Sequence, residues 1–171
     1  MADAPSQQAV LVQFERAREA FEESLRRAPD AALRYKPQGE DYALGGLVVH
    51  VTDVLRRYAQ VIDALRLHGF GAHTAPAHVT PEEDESRIRE GFPGEARGPV
   101  VEEMRAAHTA LVDAVRLAGE ADFTRQAAVI YGSGDPYPTS PADVVGWVDD
   151  HYREHAQQIE ELVSAWADAT R

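Results

Sequence analysis

The chain contains no cysteine among its 171 residues. A disulfide framework, a thiolate zinc site and an internal thiol nucleophile are thereby excluded, and any sulfur chemistry would need an external thiol. Positive charge is scarce as well: 17 Lys and Arg stand against 29 Asp and Glu, a net charge of −12. Such a surface repels phosphate backbones and gains nothing from an anionic bilayer, so neither nucleic acid nor a membrane is expected as a partner. Met1 to Gln8 lacks a basic stretch followed by an apolar run, and no hydrophobic run is long enough to span a bilayer. The expected location is cytoplasmic and the expected partner a small-molecule substrate.

What is present is an ordinary globular composition, 44% apolar and 27% charged, at a length that suits one domain over residues 1–171. Apolar residues recur at helical spacing in four segments. The first runs from about Gln7 to Arg27, with Val10, Phe14, Phe21 and Leu25 aligned. The second runs from about Leu44 to Leu67, aligning Leu47, Val51, Val54, Tyr58, Val61 and Leu65. The third runs from about Pro99 to Ala118, with Val101, Met104, Leu111 and Val115. The fourth runs from about Pro141 to Ala169, with Val144, Val148, Leu162 and Trp166. Ser140-Pro141 and Gly98-Pro99 read as helix starts, and Gly69 and Gly119 as stops.

Two connections are long, His68 to Gly98 and Gly119 to Ser140. A short helix from Pro81 to Glu90, capped by Thr80, is expected in the first. At most a short hairpin near Ala127 to Tyr137 is expected in the second. The fold class that follows is all-α, a four-helix bundle with functional loops.

Seven histidines are present. His68, His73 and His78 fall in the first long loop at a spacing that suits neither helix nor strand, and read as solvated. His151 and His155 are four apart on the fourth helix, so both imidazoles leave the same face. That face continues the apolar stripe through Val144, Val148 and Leu162, so the pair points inward. His50 lies on the inward stripe of the second helix between Leu47 and Val51. If those two helices run parallel, the three rings lie within ~3 to 9 Å of one level at 1.5 Å per residue. Three separately buried imidazoles would each need partners for both nitrogens, and a shared divalent ion would satisfy one nitrogen on each. His108 also faces inward, with Met104 and Leu111, as a plain core residue or a group near the site. Asp53, Asp150 and Glu154 lie close in sequence to the three histidines, although acidic residues on helices usually form a solvated face. Arg153 should face away from the pair. Trp147 and Tyr152 should pack against neighbouring helices.

Leu44-Gly-Gly-Leu-Val-Val-His50 and Asp149-Asp-His151-Tyr-Arg-Glu-His155-Ala-Gln-Gln-Ile159 resemble the DinB-like (DinB/YfiT-like) superfamily of four-helix-bundle metalloenzymes. The resemblance implies that His50, His151 and His155 hold a divalent metal, with zinc or nickel leading. It also implies a homodimer and, by analogy with characterised relatives, transfer of a low-molecular-weight thiol such as bacillithiol or mycothiol to an electrophile. Three imidazoles leave coordination positions open, as catalytic sites do. A metal-dependent hydrolase needs the same three ligands, and a non-catalytic metal-binding stress protein is the other alternative. The general acid or base is not identified by the sequence.

Overall fold

The computed structural model describes residues 6–171, so the expectation that Met1 to Gln8 carries no leader falls largely outside it. Four long helices build the body: α1 (Gln7–Arg27), α2 (Gly46–Leu67), α4 (Arg97–Ala118) and α5 (Pro141–Ala169). A short α3 (Glu82–Glu90) lies between the middle two. Their ends follow from local chemistry. The Ser6 hydroxyl accepts the Ala9 N–H and caps α1. Ser140 and Asp143 exchange hydrogen bonds at the start of α5, a reciprocal cap with proline in the first turn. Gly119, at φ 79°, ends α4 in a conformation that costs a side-chain residue more. Thr80 does not cap α3; its hydroxyl donates to Asp53 on α2 instead, at 2.7 Å.

The apolar stripes meet in one core that takes in Phe14, Phe21, Leu47, Leu55, Met104, Leu111, Val148 and Tyr152. Gln7, opening α1, reaches the Val115 carbonyl near the end of α4, while Arg97, opening α4, donates to the Leu25 and Ala28 carbonyls. These two helices are therefore antiparallel. On α2 and α5, His50 meets His151 and Tyr58 meets Trp147, so moving forward along one helix means moving back along the other. The parallel arrangement expected for this pair is corrected: α2 and α5 are antiparallel. The first long connection carries the chain back along the body, so α4 runs in the same sense as α2; the second turns where α4 ends, with the Ala142 N–H on the Phe123 carbonyl, so α5 runs against both.

The all-α expectation also needs correction, since the protein is mostly helical with a small sheet. Strands β1 (His73–Thr74), β2 (Ala127–Ile130) and β3 (Pro136–Thr139) form one sheet in that order. β1 and β2 are parallel, and β2 and β3 make the expected antiparallel hairpin. Ala127 and Val129 turn inward onto Leu65 at the end of α2. With two residues in β1 and four in each of the others, the alternation is too brief to stand out in a sequence.

The start of α2 depends on close backbone approach. A Cβ on Gly46 would sit 1.9 Å from the Ile88 carbonyl oxygen at the end of α3, whereas one on Gly146 in α5 would meet nothing within 4 Å. Gly46→Ala should therefore force helices apart and lower the melting temperature by about 5–10 °C. Gly146→Ala should leave it unchanged or raise it, because alanine is the better helix former. Equal melting temperatures for the two variants would show that the α2–α3 contact yields freely.

Candidate metal centre

His50 is held near the start of α2 by the Gly45-Gly46 approach to the chain at Leu33 and Ile88. His151 and His155 project one turn apart from the middle of α5. Their ligating atoms, with that of His50, all lie within 4.8 Å of one another. Nε2 of His151 is 2.9 Å from Nε2 of His50 and 3.1 Å from Nε2 of His155. His155 is buried, while His50 and His151 are partly exposed, so the cluster is open on one side.

Hydrogen bonding within the cluster cannot account for this geometry. Each imidazole nitrogen has one in-plane position, filled by a hydrogen or by a lone pair. Nε2 of His151 faces two nitrogens and can donate to only one of them. Nδ1–H of His155 donates to Oε1 of Gln158 at 2.8 Å, which leaves a lone pair on Nε2 of neutral His155. Three converging lone pairs are what one cation would gather. Metal–nitrogen bonds of about 2.0–2.1 Å in tetrahedral geometry place such nitrogens ~3.3 Å apart, close to the separations here. The donor set thus fits a divalent ion of imidazole-binding type.

The surroundings keep His50 and His151 neutral. Burial pushes the His50 pKa down to about 4, helped by His155 and His151 and opposed by Asp53. Burial also lowers that of His151, again with His155 adding to the effect and Glu154 opposing it. Neutral imidazole is the ligating form.

Two neighbours were not apparent in the sequence. Gln158 orients His155, and an i,i+3 glutamine carries no signal of its own. The Tyr42 ring lies tilted 4.7 Å from His50 and edge-on 6.1 Å from His155, and burial raises its hydroxyl pKa. Tyr42 comes from an irregular segment, beyond the reach of periodicity.

The other candidates divide. Asp53 is buried and accepts from Nε2–H of His78 at 2.8 Å as well as from Thr80. His78 is therefore not a solvated loop histidine. Nor is His73, which is buried in β1 with Nδ1–H on the Gly71 carbonyl; only His68 is exposed. Asp150 and Glu154 are exposed, and Arg153 points away, paired with Asp149. His108 does face inward but not toward the other three. Its Nε2–H donates to Glu15 at 2.9 Å, and its Nδ1 takes the Tyr152 hydroxyl at 3.1 Å, on the opposite side of α5.

The model of the DinB superfamily matches residues 13–159. No curated protein sequence matches the chain significantly. Among solved structures, a histidine-to-alanine variant of a mycothiol-dependent maleylpyruvate isomerase is similar at a TM-score of 0.67 and 13% identity. The similarity covers 92% of this chain and 61% of that one, so this chain spans under two thirds of the isomerase. At that identity the likeness speaks for the fold.

The lowered pKa values set a pH dependence for the metal-free protein. A histidine whose folded pKa lies below its unfolded value costs nothing above the unfolded value, near 6.5, and costs progressively more as pH falls toward the folded one. Chelator-treated protein should therefore lose melting temperature between about pH 6.5 and 4, and His50→Asn should lose less over the same range. A melting temperature that stays flat down to pH 4.5 would mean that His50 and His151 are not held neutral by the fold.

Proposed function

The chain belongs to the DinB superfamily, and from that premise we propose that it is a metalloenzyme in which His50, His151 and His155 hold one divalent ion, zinc or nickel first among the candidates. The observation that carries this reading is the convergence of three Nε2 atoms whose lone pairs cannot satisfy one another. We take the domain to be a single four-helix bundle of this superfamily, acting on a small molecule and pairing as a homodimer. No helix among the described residues is long and apolar enough to cross a membrane, and the cytoplasm remains the expected setting.

The reaction we infer is transfer of a low-molecular-weight thiol to an electrophilic substrate. When bound, the ion would act as a Lewis acid toward a thiol at an open coordination position, favouring the thiolate at neutral pH. The residues around it supply the rest. Gln158 fixes the His155 tautomer by holding Nδ1–H. Tyr42 shields one face of His50 from water. Asp53, one turn after His50, accepts Nε2–H of His78 and the Thr80 hydroxyl and so ties the long loop to α2. The absence of cysteine means that no side chain competes with an incoming thiol. The partly exposed side of the cluster favours an enzyme over a metal store. Hydrolysis uses the same ligands and is the rival that an assay must separate.

The purified protein should carry about one divalent ion per chain by elemental analysis. His50→Ala or His151→Ala should abolish most of that content, Gln158→Ala should weaken affinity roughly 10- to 100-fold, and His73→Ala should change nothing. The loaded protein should then consume an epoxide, chlorinated or maleyl-type electrophile only with mycothiol, bacillithiol or glutathione present, and His155→Ala should not. Ester or amide cleavage without thiol would favour the hydrolase. Equal metal content in wild type and the His50→Ala, His151→Ala double variant would overturn the site.

A further inference from the structure

At the sheet end of the α2–α5 seam, Arg57, Tyr58, Tyr131, Tyr137 and Trp147 line a cleft of about 330 Å³. The Trp147 ring is its centre. Tyr58, Tyr131 and Tyr137 surround it at centroid distances of 5.9, 6.5 and 5.9 Å, all tilted or edge-on. Tyr137 on β3 is about half exposed, so the hairpin forms an outer wall and not a lid. Arg57 lies on the rim with its guanidinium 5.8 Å from the Tyr58 ring centre.

Of the polar groups that line this cleft, one is paired. Tyr131 bonds Thr139. Among the described residues, however, the Arg57 guanidinium, the Tyr58 and Tyr137 hydroxyls and the Trp147 indole N–H have no side-chain or backbone partner. Arg57 is also without a carboxylate in a chain whose net charge is −12 and where most arginines pair with one. An uncompensated cation beside aromatic faces is suited to an anion joined to a flat ring. The ring packs edge or face against tryptophan and tyrosine, and the anion takes the fork of the guanidinium.

We propose that this cleft is a binding site for small aromatic carboxylates, with the ring against Trp147 and the carboxylate on Arg57. The cleft is distinct from the histidine cluster. Trp147 precedes His151 by one helical turn, ~6 Å along α5, and Tyr58 follows His50 by about two turns, ~12 Å along α2. The proposal rests on the cleft alone and stands whether or not a metal is bound.

Tryptophan fluorescence tests it. The chain has two tryptophans, so a Trp166→Phe background leaves Trp147 as the only reporter. Benzoate should quench or shift its emission saturably at millimolar concentration or below, and benzyl alcohol should bind about tenfold more weakly. Arg57→Gln should weaken benzoate about tenfold while leaving benzyl alcohol unchanged. The same titration in the His50→Ala, His151→Ala background should give the wild-type affinity. Benzoate binding that vanishes in that background but survives Arg57→Gln would put the carboxylate at the histidines and overturn the proposal. So would equal affinities for benzoate and benzyl alcohol, or no saturation at tens of millimolar. Loss of metal binding with benzoate affinity intact would bear on the metal reading alone.

Discussion

The arrangement on which the rest of the molecule depends is the meeting of three imidazole nitrogens across two antiparallel helices. Nε2 of His151 stands about one hydrogen-bond length from both Nε2 of His50 and Nε2 of His155, and it can satisfy only one of them. In the metal-free chain this leaves lone pairs opposed in a partly buried space, an arrangement that surrounding structure must hold in place. The supports are visible. Gly45 and Gly46 let α2 begin hard against the Leu33 and Ile88 carbonyls, which fixes the level of His50. The Ser140–Asp143 cap fixes where α5 begins.

The rotation of α5 about its axis is set from the other side. Tyr152, next in sequence to His151, is fully buried between Phe14 and Phe21, and its hydroxyl donates to His108. His108 in turn donates to Glu15, whose carboxyl is held below its usual range chiefly by Arg18. A helix turned so that Tyr152 left this pocket would carry His151 and His155 away from His50. The polar cluster around His108 is thus a keyed contact that orients the candidate metal face, and burial keeps its own imidazole pKa low.

Much of this was legible in the residues. The four long helices follow from inward apolar spacing, and α1 and α5 have the ranges that this spacing predicts. His50, His151 and His155 stand out because each continues an apolar stripe, where an imidazole needs a reason to be. The direction of α2 relative to α5 was not legible, because it is set by how two long connections travel. Convergence survives the reversal because α5 is the longer helix and its middle, not an end, meets the start of α2. The contacts of Tyr42, Gln158, and His78 with Asp53 were hidden for a common reason: each depends on a loop or a single side chain with no periodic pattern. The strand β1 is two residues long and exists only through its pairing with β2, which no local signal announces.

The central claim is that three imidazoles share one ion. X-ray absorption spectroscopy at the edge of whichever metal co-purifies tests it most directly. The account predicts imidazole scattering from three nitrogens at about 2.0–2.1 Å, together with a further light-atom ligand that changes when a thiol is added. A spectrum without imidazole back-scattering, or a metal coordinated only by oxygen, would contradict it.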